Sequence, residues 1–325
     1  MSEAGDYDPG PWQGANFTSL RHDYDVHVGR SYSDAKSTGK TVNNPSKLIT
    51  KSEAPVVISC DVTGSMGDWP ATIFGKLPYL DLEGKEYLGP TMEISFVAQG
   101  DAFSDNYPLQ VRPFASGLEL EKELKELIIE GNGGGNGGES YDLPALYYAR
   151  HVEMPNAIHP IFIFIGDEPL YKTSIADKAK AVGISMDKNM PIEDVIKELQ
   201  KKFAVYLVQK SYGSGGDSSD SSVTRQWEKL LGEDYIAQLP EASRVVDVIF
   251  GIFAKEVGRI DYFTKELQGR QTSAQVKTVM KSLQSIHLTS PKSMKKLPAP
   301  RSRGASVTRR TKGGNDAKPT KSLLD

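Results

Sequence analysis

Cysteine is almost missing from this chain. Its 325 residues include one, Cys60, so no disulfide can close within a chain and no oxidising compartment is implied. Long apolar runs are missing too; none approaches the roughly 20 residues that span a bilayer. The opening Met1-Ser2-Glu3-Ala4-Gly5-Asp6-Tyr7 has neither the basic nor the apolar region of a secretory leader. The expected location is cytoplasmic, with no membrane partner. From Gln268 onward there is no Phe, Tyr or Trp, so that stretch lacks the rings on which bases stack. Positive charge is unevenly spread. Residues 268–325 hold 13 Lys and Arg against two Asp, leaving 26 basic and 40 acidic residues upstream, although the whole carries only −3. An acidic body with a basic tail is not the pattern of a nucleic-acid-binding domain, and nucleic acid is not an expected partner. Nothing in the sequence sets the oligomeric state.

Against these absences stands the stretch 55–69, Pro-Val-Val-Ile-Ser-Cys-Asp-Val-Thr-Gly-Ser-Met-Gly-Asp-Trp. Val56 to Cys60 is a β-branched apolar run, the pattern of a strand buried on both faces. It ends abruptly in Asp61-Val62-Thr63-Gly64-Ser65. Residues two apart on an extended chain point the same way, so Asp61, Thr63 and Ser65 can offer one carboxylate and two hydroxyls to a common point. Hard oxygen donors with little charge suit a small divalent cation that keeps some water, Mg²⁺ (or Mn²⁺) before Zn²⁺. A strand followed by a polar turn and a helix N-cap would give the same five residues.

This pentapeptide resembles the Asp-x-Ser/Thr-x-Ser motif of von Willebrand factor type A (VWA) domains, where it forms the first loop of the metal-ion-dependent adhesion site (MIDAS). The resemblance extends over about residues 54–260 and is strongest to cytosolic bacterial or phage members, although many relatives are extracellular. It implies two further metal loops. Relatives supply a Thr from a second loop at a helix start. Here the six glycines of 131–138 lead into Glu139, Ser140 and a helix expected over 143–152, with no Thr; Glu139 or Ser140 must stand in. Family members close the site with a Gly and an Asp at the end of a central strand, matched by Gly166 and Asp167 after the apolar run 161–165. The implied metal set is Asp61, Thr63, Ser65, Glu139, Ser140 and Asp167. Gly64, Met66, Asp68, Gly137, Gly138 and Glu168 would form the rim that meets a ligand.

Periodicity places the other elements. Strands are expected at 92–99, 109–114 (antiparallel, returning beside its predecessor), 203–208 and 235–239. Helices are expected at 70–80, 118–129, 192–199, 223–231 and 245–263. Alternating strands and helices predict a three-layer α/β/α sandwich with a mostly parallel central sheet and one antiparallel edge strand. Sites in such sheets lie beyond the carboxyl ends of the strands. The organisation expected is an irregular arm over 1–50, a VWA-like domain over 54–265 and a disordered basic tail over 268–325. Gly39-Lys40-Thr41 imitates the end of a phosphate-binding loop, but Asp34 stands where its first Gly belongs and no strand precedes it.

Two functions compete. One is a Mg²⁺-dependent module that binds a protein partner through an acidic side chain placed on the metal; Glu139 as a ligand would weaken that chemistry, and Ser140 would restore it. The other is a metal-dependent hydrolase acting on a phosphorylated substrate with Asp61 and Asp167, or a scaffold with a purely structural metal. Thr63 stands where a second carboxylate would be needed for a nucleophile and acid pair. No Lys or Arg lies in 61–68 or 131–142 to hold a phosphate, and His151 and His159 fall away from the strand-end loops. No catalytic constellation is found.

Overall fold

A computed structural model describes residues 42–286, apart from 68, 78, 131–137 and 212–217. Most of the expected arm and tail, together with the Gly-rich loop before Gly138, therefore lies outside the described residues.

Six strands form one sheet: β1 (Pro55–Asp61), β2 (Glu93–Gln99), β3 (Leu109–Val111), β4 (Ile161–Gly166), β5 (Ala204–Lys210) and β6 (Ile236–Leu239), in the spatial order 3-2-1-4-5-6. β1 runs parallel to β2 and β4, and β5 parallel to β4 and β6; β3 alone is antiparallel, pairing Val97 with Val111. Every residue of β1 and β4 is buried, as their almost wholly apolar runs require once both faces are covered.

Alternation along each strand builds two cores. Val56, Ile58, Cys60, Ile163 and Tyr206 face one helical layer; Val57, Phe162, Phe164, Val205 and Leu207 face the other. The first layer holds α1 (Trp69–Lys76), α2 (Tyr79–Leu88), α3 (Leu118–Lys125), α8 (Val245–Glu256), α9 (Ile260–Arg270) and α10 (Ser273–Ser282). The second holds α4 (Asp142–His151), α5 (Ala176–Ala181), α6 (Ile192–Gln200) and α7 (Ser218–Leu231). In α6 the buried residues are Ile192, Val195, Ile196 and Leu199, the stripe that its spacing predicts. The three-layer α/β/α architecture with one antiparallel edge strand is thus the observed one. Among the described residues no helix is long and apolar enough to cross a membrane.

Three expectations need correction. The single helix expected over 70–80 is two: α1 ends at Lys76, and α2 starts at Tyr79 and runs on to Leu88 because Leu80, Tyr87 and Leu88 pack into the first core. The single helix expected over 245–263 is two, since Gly258 turns to a φ of 64° and caps α8 in the left-handed region open to glycine. The boundary expected at 265–268 is also wrong: α9 runs on to Arg270, and a capping box of Thr272 and Gln275 starts α10. Val279, Leu283 and Ile286 are buried against the first core, and the Lys255 ammonium donates to the carbonyls of Leu283 (2.6 Å) and Ile286 (2.7 Å). Composition averaged over 268–325 hides this short apolar stripe. Leu283→Ala is expected to cost about 3 kcal/mol, the usual range for emptying a buried leucine site, read as a lower denaturant midpoint with an unchanged slope. A loss below about 0.5 kcal/mol would mean that the last helix is not part of the cooperative fold.

Candidate functional site

The strand order reverses between β1 and β4, so the loops leaving their carboxyl ends diverge and open a crevice there. Asp61 ends β1 and Asp167 follows β4 directly. Both are buried, as is Thr63, while Ser65 is half-buried on a single 3₁₀ turn, Gly64–Met66.

A continuous hydrogen-bond chain joins the two carboxylates. Thr63 donates its backbone N–H (2.9 Å) and its hydroxyl (2.6 Å) to Asp61 Oδ1. The Thr63 and Ser65 hydroxyls are 3.3 Å apart, and Ser65 donates to Asp167 Oδ1 at 2.8 Å. Two residues outside the expected set complete the chain. Tyr141, at the start of α4, donates its hydroxyl to Asp61 Oδ2 at 2.7 Å. Lys210, the last residue of β5, donates to Asp167 Oδ2 at 2.7 Å and to the Ser65 carbonyl at 3.0 Å. Extending β5 two residues past its expected end at Val208 would have put Lys210 on the rim; Tyr141 carried no signal beyond lying next to Ser140. Gly166 is what lets Tyr141 reach across, since a Cβ there would fall 1.9 Å from the tyrosine oxygen.

The second loop meets the rim differently. Glu139 forms a parallel bridge with Leu170, its N–H bonded to the Pro169 carbonyl at 2.8 Å. Its carboxylate is buried, and among the described residues Oε2 has no hydrogen-bond partner. Ser140 donates to Asp101 Oδ1 (3.1 Å) and accepts from the Ala102 N–H (2.9 Å), so its hydroxyl serves the loop after β2. That Asp101, buried, also accepts from the hydroxyls of Tyr171 and Ser104. The structure therefore gathers Asp61, Thr63, Ser65 and Asp167 into one bonded group, sets Glu139 nearby and turns Ser140 toward Asp101.

Of the expected rim, Gly64 is exposed, Glu168 is half-buried and Gly138 is buried. Met66 is no rim residue: the 3₁₀ turn points it into the first core, where it is fully buried. Asp68 and Gly137 lie outside the described residues. His151 stacks on Tyr147 and faces the Ser46 carbonyl at the far end of α4, away from the crevice.

Burial dominates the electrostatics. Desolvation, then the Asp167 carboxylate, raises Asp61 to about 7 despite the bonds from Thr63 and Tyr141. Desolvation, then the charges of Asp61, Asp101, Asp105 and Glu168, raises Glu139 to about 10. Such clustered carboxyls favour protons or a cation. Among the described residues no three His, Cys, Asp or Glu side chains gather as a metal cluster. The group at the crevice is instead two carboxylates and two hydroxyls, hard oxygen donors of the kind that could hold a small divalent cation together with water.

No family model matches the chain, and no curated protein does. Among solved structures, the pilus adhesin SpaC from Lactobacillus rhamnosus GG is matched in its open conformation over 74% of this chain and 31% of that one, at 6% identity and a TM-score of 0.42. A second crystal structure of SpaC is matched over 71% and 32%, at 9% identity and a TM-score of 0.42. Proximal thread matrix protein 1 (PTMP1) from the mussel byssus is matched over 64% and 48%, at 12% identity and a TM-score of 0.41. The chain thus spans between 31% and 48% of the length of these proteins. Likeness of this size carries no argument about function.

Proposed function

We propose that this protein is a Mg²⁺-dependent protein-binding module of the VWA type, whose partner presents an acidic side chain. The observation that carries the reading is the bonded group Asp61–Thr63–Ser65–Asp167 at the switch point of the sheet, the place where the MIDAS resemblance puts its ligands. Asp61, Thr63, Ser65 and Asp167 would hold Mg²⁺ or Mn²⁺. The buried Glu139 Oε2, without a donor among the described residues, supports Glu139 over Ser140 as the second-loop contributor, since Ser140 is engaged by Asp101. Bound there, the metal supplies an electrophile for the partner's carboxylate.

A ligand held only by the native state stabilises it by about 2.7 kcal/mol at a hundredfold excess over Kd. Millimolar Mg²⁺ is therefore expected to raise the melting temperature of the wild type and to leave Asp61→Ala unmoved, because the substitution removes the only charge on the first loop. Partner capture is expected to be lost with EDTA and with Asp61→Ala alike. If Mg²⁺ and Mn²⁺ move neither protein, the metal reading fails and only the fold remains.

The hydrolytic reading gains one feature, the Lys210 cation beside Asp167. It still lacks a second carboxylate on the first loop, where Thr63 stands. Turnover of a generic phosphomonoester with Mn²⁺, abolished by Asp61→Asn, would favour it over the binding module.

A further inference from the structure

The four carboxylate oxygens of the crevice are all engaged by donors of the chain itself. Asp61 Oδ1 takes Thr63, Asp61 Oδ2 takes Tyr141, Asp167 Oδ1 takes Ser65 and Asp167 Oδ2 takes Lys210. Three of these donors are neutral; only Lys210 brings charge. Its side chain is 10% exposed and that of Asp167 is fully buried, so the pair sits in low dielectric, where a fixed charge is felt strongly. The ammonium is held on three sides: by Asp167, by the Ser65 carbonyl and by the Trp69 ring, whose centroid lies 5.6 Å away.

We infer that Lys210 is a resident counter-cation of this site, which neutralises Asp167 in the metal-free protein and competes with a divalent cation for it. The inference rests on the metal-binding reading above and adds its regulation. A divalent ion bound between Asp61 and Asp167 has to share Asp167 with an ammonium 2.7 Å from that carboxylate, or push it aside. Either course weakens binding. The same lysine keeps the metal-free site from holding an uncompensated buried charge, a condition that is strongly destabilising when one partner of such a pair is removed. Lys210 thus exchanges metal affinity for metal-free stability. It also sets a threshold: the site fills only at cation levels that outcompete an internal ligand.

Mn²⁺ titration, followed by calorimetry and by the loss of free-ion electron paramagnetic resonance signal, tests this on the full chain. Lys210→Met keeps the length of the stem and deletes the charge; Lys210→Arg keeps the charge. Lys210→Met is expected to bind Mn²⁺ about tenfold more tightly than wild type or more, with Lys210→Arg close to wild type. Metal-free Lys210→Met is expected to melt below wild type and to recover most of that loss on saturation. Far-UV circular dichroism establishes that each variant is folded. Equal Mn²⁺ affinity in wild type and Lys210→Met, or weaker affinity in Lys210→Met, overturns the counter-cation role while the metal site stands. If no variant binds Mn²⁺ at millimolar concentration, the metal reading falls and this inference with it.

Discussion

Replacing Glu139 with glutamine is expected to stabilise the metal-free protein by about 3 kcal/mol at pH 7 and hardly at all at pH 4. The sign follows from the direction of the shift. Glu139 is raised from 4.5 to about 10 by burial and by the charges of Asp61, Asp101, Asp105 and Glu168. The folded chain therefore keeps a proton that the unfolded chain has released. Stability tied to this group is fully present below the unfolded value and is lost as pH rises from there to about 10, the reverse of an ordinary salt-bridged carboxylate. Asp61, raised from 3.8 to about 7, adds a second loss confined to the interval between those values. Glutamine matches the protonated acid in shape and has no charge to desolvate. Denaturant unfolding in EDTA at pH 4.5, 7 and 9 reads the effect. Wild type is expected to weaken steadily across the series, Glu139→Gln to weaken far less, and Asp61→Asn to flatten only the lower interval. Parallel pH curves for wild type and Glu139→Gln would show that the Glu139 carboxyl is solvated. Saturating Mg²⁺ is expected to narrow the gap between the two proteins, because a cation favours the ionised carboxylate.

Gly166→Ala is expected to be among the most damaging single substitutions in the chain, although it adds one methyl group. The new Cβ would lie 1.9 Å from the Tyr141 oxygen and 2.8 Å from Cζ. Tyr141 has little room to retreat: its ring packs edge-on against Phe164 and Trp227, with centroids 5.8 and 5.1 Å away. Overpacking of this kind costs about 1–3 kcal/mol. Tearing the buried Tyr141 hydroxyl from Asp61 adds about 1–3 kcal/mol, for a total of about 4 kcal/mol, measured as a lower midpoint in urea. Tyr141→Phe added to Gly166→Ala removes the atom in closest conflict and is expected to restore part of the loss, a non-additivity that marks direct contact. A loss under about 1 kcal/mol, or strict additivity of the pair, would place Tyr141 elsewhere. Because Tyr141 bonds Asp61 Oδ2, the same substitution is also expected to weaken the melting shift that the proposed metal site predicts with Mg²⁺.

Much of the fold was legible because its strands report their burial in composition alone. The runs Val56–Cys60 and Ile161–Ile165 are apolar at every or nearly every position, which only a two-sided sheet demands, and the stripe Ile192, Val195, Ile196, Leu199 has one helical reading. Residues 81–91 and 268–286 were not legible in this way. Their helices are held by a few apolar contacts, Tyr87 and Leu88 in one and Val279, Leu283 and Ile286 in the other, diluted among polar neighbours, and composition cannot weigh a contact whose partner is distant in sequence.

The candidate site divides along the same line. Asp61, Thr63 and Ser65 lie within five residues, so the end of β1 and the 3₁₀ turn after it set them side by side, and local sequence determines that much. Asp167 could be matched because it directly follows a strand whose carboxyl edge the topology aligns with that of β1. Lys210 and Tyr141 reached the site only through the tertiary structure. The first depends on β5 extending two residues beyond its apolar run, and the second on a glycine in one strand making room for a ring from a helix. Ser140 and Glu139 are adjacent in sequence yet differ in surroundings, one bonded to Asp101 and the other buried with an oxygen that has no donor among the described residues. Residue type names the groups able to bind a cation. Which of them keep a free oxygen for it depends on donors brought from three other segments of the chain, and those are placed only when the sheet and both its helical layers have packed.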